Sequence, residues 1–191
     1  MCGRYYFDSE TEDVIRRVSG ADTDLARFHG DICPSMDAVV LTGTDRLHLE
    51  VMKWGMPFDS GKLIINARAE SALQKRMFYD GVMHRRCVIP ASGFYEWYTD
   101  GSRATITRDG GGPLFMAGFY GFYNMLDCFV ILTTAANAAM APVHERMPLM
   151  IKEDALEEWL WDNSRLETFL KSQPDPVHVY REYDQLKFDF S

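Results

Sequence analysis

Apolar residues at Val14, Ile15 and Val18 of SETEDVIRRVSG fall on one face of a short helix. Ser9 and Glu12 stand at capping-box separation before it, and Gly20 is placed to end it. MDAVVLTG and RLHLEVMKW are rich in β-branched and large apolar residues and predict two strands, joined by a turn around Gly43, Thr44 and Asp45. ARAESALQKRMFYD predicts a helix entered from a loop at Asn66. Four further stretches have β character: RRCVIPASGFYEWY, ATITRD, PLFMAGFYGFY and DCFVILTTA. Turn signals separate them at Asp100-Gly101 and at Asp109 with Gly110, Gly111 and Gly112. EDALEEWLWD and SRLETFLKS predict two short acidic helices, the second with Ser164 and Glu167 at capping-box spacing. Pro174 and Pro176 then break the chain before a last extended piece, VHVYREY.

Helices interrupt runs of strands without a regular βαβ alternation, which predicts an α+β fold. The expected core is a curled, mainly antiparallel, barrel-like sheet flanked by short helices. With 191 residues, one domain spanning 1–191 and a monomer are expected. A hydrophobic content of 47% argues against disorder. No apolar run is long enough to cross a bilayer, and the first residues lack a signal-peptide pattern, so a cytoplasmic protein with reduced thiols is expected. Cys2, Cys33, Cys87 and Cys128 form no C-x-x-C pair, and neither a metal nor a cofactor is expected. Cys87 and Cys128 lie in apolar runs and read as buried, inert thiols.

The net charge of −8 argues against a nucleic-acid partner, but the charge is uneven. Residues 62–108 hold 8 basic and 4 acidic side chains, against 6 and 11 in residues 1–61. Charge alone favours a solvated surface face for this block.

Four segments carry candidate chemistry. Removal of Met1 would give Cys2 a free α-amine beside its thiol, with unperturbed pKa values of about 8 and about 8.5. An amine condenses with an aldehyde to a Schiff base, and a thiol two carbons away then closes a five-membered thiazolidine. The same residue suits attack on an acyl group. Asn66 in LIINARAE could cap the helix or orient an amine or hydroxyl at a site. Glu96 in ASGFYEWY alternates with Tyr95 and Trp97; it is solvated if they face the core, and enclosed if the sheet curls around a site. Enclosure raises a carboxyl pKa and suits a general acid or base. His144 sits between Pro142 and Pro148 in a stiff, polar loop.

Together MCGRY, WGMPF (54–58), INARAE (65–70), RRCVIPASGFYEW (85–97), ILTTAAN (131–137) and HERMP (144–148) resemble the SRAP (SOS-response-associated peptidase) family in a consistent order. The resemblance implies a protein of the DNA damage response that binds single-stranded DNA and forms a covalent thiazolidine with the ring-opened aldehyde of an abasic site. It implies Cys2 as nucleophile, Asn66 holding the terminus and sugar, Glu96 as general acid/base, and His144 assisting Schiff-base chemistry and binding the sugar or phosphate. Strand cleavage by β-elimination and peptidase-like removal of the residue ahead of the cysteine are implied as well. Association with the nucleoid follows from DNA binding. Arg4, Arg68, Arg85, Arg86 and Arg146 are then expected on phosphates. Trp54, Phe58, Met77 and Phe78 could stack on bases or wedge a junction, although core packing is equally open for Phe78. Thr133 matches a family threonine near the site. Two other readings stay open: an N-terminal-nucleophile thiol peptidase or amidase using Cys2 with His144 or Glu96, and a DNA-binding module whose cysteine is redundant.

Overall fold

The computed structural model describes residues 2–182. In chain order the elements are β1 (Tyr5–Phe7), α1 (Ser9–Ser19), β2 (Gly30–Ile32), β3 (Asp37–Thr42), β4 (His48–Trp54), β5 (Met56–Pro57), β6 (Leu63–Ile64) and β7 (Asn66–Arg68). They continue with α2 (Ala69–Ala72), α3 (Arg76–His84), β8 (Arg86–Ala91), β9 (Gly93–Trp97), β10 (Arg103–Arg108), β11 (Leu114–Tyr123) and β12 (Leu126–Ala135). β13 (Arg146–Pro148), α4 (Leu156–Trp161), α5 (Leu166–Leu170) and β14 (Val177–Arg181) complete the described chain. β14 is the extended piece expected at VHVYREY, of which Tyr183 lies outside the described residues.

The expected α+β class and curled antiparallel sheet are both present. Strands β11, β8, β3, β4 and β12 follow one another by hydrogen bonding, and β12 pairs again with β11 to close a five-stranded ring. Inside it lie Val40, Ile89, Met116, Phe129 and Ile131, all fully buried. A second sheet runs β14-β10-β9-β1-β2 and is antiparallel throughout. Its inner face presents Tyr5, Phe7, Phe94 and Ile106, and its outer face Tyr6, Tyr95 and Trp97. The period-two alternation of a strand produces that sorting.

β12 is the strand on which the site is built. Its first half closes the ring, while its second half pairs with β7 on one edge and β13 on the other. Thr133 is thus in register with both Arg68 and Pro148. The parallel pairing with β12 also corrects one predicted element. Asn66, Ala67 and Arg68 are extended rather than a helix entrance, and the following helix breaks into α2 and α3.

Helix ends differ from the sequence pattern in the same way. Asp8, not Ser9, caps α1, accepting the Thr11 amide at 3.0 Å, while Gly20 ends the helix with φ 66° as expected. Glu12 turns inward, where it accepts the Leu25 amide at 3.1 Å and meets His29 Nε2 at 2.7 Å. α5 has no side-chain cap from Ser164; the Ser164 amide instead donates to Asp162 at 2.8 Å. The three successive glycines form a turn, each with positive φ.

Arg86 and Trp54, expected to meet DNA, belong to the interior. Arg86 is 5% exposed and donates to the carbonyls of Val82, Met83, Trp159 and Leu160 and to Asn163 Oδ1. Four of these acceptors are backbone carbonyls near the C-terminal ends of α3 and α4, which a planar five-donor fork matches. Trp54 is fully enclosed, parallel to Phe129 with centroids 6.2 Å apart. Replacing Arg86 with Lys is expected to lower the unfolding free energy by about 3 kcal/mol, since several buried carbonyls lose their donors. Urea denaturation measures this, and an unchanged midpoint would contradict the structural role.

Candidate functional site

Cys2 is completely buried, unlike a frayed terminus. Its chain is extended into β1, whose pairing with β9 aligns Tyr5 with Phe94. The Tyr95 amide donates to the Arg4 carbonyl at 2.9 Å, so the ladder continues toward the terminus and brings Glu96 beside Gly3. Asn66 Nδ2 donates to the Cys2 carbonyl at 2.8 Å. Asn66 therefore does not cap a helix; it ties the terminal strand to the barrel. Its Oδ1 is buried and finds no hydrogen-bond partner among the described residues.

Glu96 resolves the alternation question. It shares the inner face with Phe94 and is buried, whereas Trp97 is exposed. Its partner in register is Ala104, a side chain small enough to leave room for a carboxylate on that face. Burial pushes the Cys2 thiol well above its ordinary pKa, and the Glu96 carboxylate raises it further. The thiol is consequently protonated across the neutral range.

Tyr5 and Trp54 were not singled out by sequence as supports for this centre. Tyr5 lies in the same enclosed region, its ring 5.2 Å from that of Trp54, and its hydroxyl is buried without a partner among the described residues. Trp54 Nε1 donates to the Ile65 carbonyl at 3.1 Å, fixing the residue next to Asn66. Trp54 thus acts on the site from within.

His144 is half-buried in the loop leading to β13, and its Nδ1 accepts the Arg146 amide at 2.9 Å. β13 is held to the end of β12, where Ala135 aligns with Arg146 and the Ala136 amide donates to the Glu145 carbonyl at 3.0 Å. Arg146 is buried and its guanidinium engages Glu70 and Thr133, so it does not stand as the free phosphate ligand that sequence suggested. Thr133 is fully buried, its hydroxyl donating to the Ala67 carbonyl at 3.3 Å.

The remaining expected DNA contacts divide. Arg68 is exposed, Phe58 is 51% exposed and Met77 42% exposed. Arg4 is half-buried, 3.6 Å from Asp31 and 5.9 Å from the Trp97 ring centroid. Arg85 is half-buried and bonded to Asp80 at 2.6 Å. Phe78 is a core residue, packed against Phe119 with centroids 5.4 Å apart. The basic block of the sequence is therefore not one free cationic face. Among the described residues no His, Cys, Asp and Glu side chains gather as a metal-ligand set, and no helix is long and apolar enough to cross a membrane.

A closed five-stranded ring, with a second sheet that brings the buried Cys2 together with Asn66 and Glu96, defines a barrel-type α+β protein. The chain belongs to the SOS response associated peptidase (SRAP) family, whose model matches residues 1–184. It is 30% identical to the abasic site processing protein YedK of Escherichia coli over 84% of this chain and 79% of that protein. It is 31% identical to the abasic site processing protein YoaM of Bacillus subtilis over 90% and 84%. A crystal structure of a Bordetella bronchiseptica protein has the same fold, with a TM-score of 0.80 and 23% identity, covering 95% of this chain and all of that one.

Burial also separates the four thiols. Cys33 is partly exposed, whereas Cys2 and Cys87 are enclosed and their thiols are held protonated by burial. A thiol-selective reagent at pH 8 is expected to modify Cys33 first, with Cys2 and Cys87 at least about tenfold slower. Peptide mapping of the labelled sites checks this, and equal rates at Cys2 would contradict an enclosed terminus.

Proposed function

We propose that this protein processes abasic sites in single-stranded DNA by covalent capture, forming a thiazolidine between Cys2 and the ring-opened deoxyribose. The observation that carries this reading is the Asn66 amide on the Cys2 carbonyl at 2.8 Å, which fixes the near-terminal cysteine in a buried, prepared position. The relatives named above supply the substrate class.

Removal of Met1 exposes the Cys2 α-amine next to that anchored carbonyl. Asn66 Oδ1, buried and without a partner among the described residues, is suited to accept a hydrogen bond from an N–H of this amine and aim its lone pair. Glu96 takes a proton from the terminal ammonium, the freed amine adds to the sugar aldehyde to give a carbinolamine, and Glu96 returns that proton to the hydroxyl, which leaves as water to give a protonated Schiff base. The Cys2 sulfur then adds to the imine carbon, and the thiol proton leaves to Glu96. The thiazolidine nitrogen keeps the imine proton and becomes a secondary amine. Glu96, enclosed beside Gly3, is suited to shuttle protons in each of these steps and in their reversal. His144 assists the dehydration.

The raised thiol pKa weighs against the thiol-peptidase alternative. A peptidase of that kind attacks as a thiolate, which burial and a neighbouring carboxylate disfavour. Addition of sulfur to an electrophilic iminium with proton transfer to a carboxylate suits a thiol held neutral. Arg4, Arg68 and Arg85 are assigned to phosphates, and exposed Phe58 and Met77 to stacking.

The processed protein, mixed with single-stranded DNA bearing one abasic site, is expected to give a shifted band on a denaturing gel. Cys2→Ala should abolish the band while leaving DNA affinity within about twofold. Glu96→Gln should slow adduct formation and reversal by about 100-fold, with a smaller effect on affinity. No adduct from the processed wild-type chain, or cleavage of peptides instead, would defeat this reading.

A further inference from the structure

The Tyr5 hydroxyl is a buried donor with no part in the proton transfers assigned to Glu96. The residue is fully enclosed, and its Oη finds no hydrogen-bond partner among the described residues. Buried polar groups are normally hydrogen-bonded, and one left without a partner costs stability. Phenylalanine would fill the same space without that cost.

Register places this ring at the reacting centre. Tyr5 pairs with Phe94, so Gly3 stands opposite Glu96, and alternation puts Tyr5 on the inner face with Glu96. The two are diagonal neighbours across β1 and β9, a spacing that aromatic and long side chains can bridge. Gly3 has no side chain and Ala104, in register with Glu96, has a small one, so these strands leave room between the ring and the carboxylate. The tilted Trp54 ring, 5.2 Å away, holds the phenol from one side. Burial pushes the hydroxyl well above its ordinary pKa, and the neighbouring Cys2 and Cys87 raise it further, so Oη keeps its proton and can only offer it in a hydrogen bond. Asn66 Oδ1 is the matching buried acceptor without a partner among the described residues. A group at Cys2 that brings one N–H and one oxygen satisfies both, and the adduct of an amine with an aldehyde is such a group.

We propose that Tyr5 is a further catalytic residue, whose Oη–H donates a hydrogen bond to the aldehyde oxygen as the Cys2 amine adds and that oxygen becomes the carbinolamine hydroxyl. The inference rests on the reading of Cys2 as the residue that captures the sugar. Charge develops on the oxygen during addition, and a preplaced donor there is worth about 100-fold or more in rate. No bond to Tyr5 is made or broken; protons move through Glu96. The hydroxyl gains its partner when the sugar binds.

Tyr5→Phe removes the hydroxyl and keeps the ring against Trp54. At saturating abasic single-stranded DNA the processed variant should form adduct about 100-fold more slowly, with the half-saturating DNA concentration unchanged. Its urea midpoint should equal or exceed that of the wild type, because the free protein loses a buried donor that had no partner. Acetaldehyde, which needs no DNA, separates this inference from capture of abasic sites; mass spectrometry should show the Cys2 thiazolidine forming about 100-fold more slowly in Tyr5→Phe. A rate within about twofold of wild type with either aldehyde overturns the proposal. A lowered urea midpoint overturns it equally, since it shows the hydroxyl bonded in the free protein. If the wild-type chain captures acetaldehyde with the expected difference but not abasic DNA, the substrate reading fails and the role of Tyr5 stands. No thiazolidine from either aldehyde in the wild-type chain overturns both.

Discussion

The contact between the Asn66 amide and the Cys2 carbonyl is the constraint on which the rest of the structure's meaning depends. Chain ends are ordinarily loose, and a thiol on a loose end has no defined geometry toward anything. Here the terminal strand is paired on both sides, by β2 and β9, and its first described residue is pinned from a third direction. Ordering those residues carries an entropic cost of about 1–2 kcal/mol each. The burial of Tyr5 and Phe7 and the two flanking ladders offset it. A near-terminal cysteine becomes a fixed part of the interior.

The supporting layers explain why this arrangement needs a closed ring and a second sheet. Asn66 is aimed by β7, which exists because β12 continues past the ring and offers it a parallel edge. Ile65 is fixed by the Trp54 indole, which is itself clamped between Tyr5 and Phe129. Glu96 arrives from the second sheet, on the face that alternation assigns to Phe94. Each group comes from a separate element, and each element is braced by a buried aromatic or by Arg146. A thiol kept protonated by its surroundings follows directly from this enclosure, and covalent capture of an aldehyde makes use of a neutral thiol.

Much of this was legible in the sequence, and the failures have a common cause. Strands with β-branched and aromatic runs were visible, as was the glycine turn, because their signals are local. Cys2, Asn66, Glu96 and His144 stood out through their motifs, and the fold brings Cys2 together with Asn66 and Glu96. What local pattern missed was partnership across the chain. Asn66–Arg68 looked like a helix entrance because its partners in β12, which make it a strand, lie 65 residues further on. Arg86 and Arg146 looked like surface cations because their acceptors, helix-end carbonyls and a glutamate 76 residues away, cannot be seen from their neighbours. Ser9 lost the cap of α1 to Asp8, one residue earlier. Trp54 carried no mark distinguishing a buried brace from a stacking surface.

The central claim is that both heteroatoms of an unblocked Cys2 enter one ring with the sugar carbon. Mass spectrometry of the adduct after nuclease digestion and alkylation with iodoacetamide tests it most directly. The account predicts a modified peptide that starts at Cys2, carries the sugar remnant, and has neither a free amine nor an alkylated sulfur. A remnant-bearing peptide with an alkylated Cys2, or one that still begins with Met1, would contradict it.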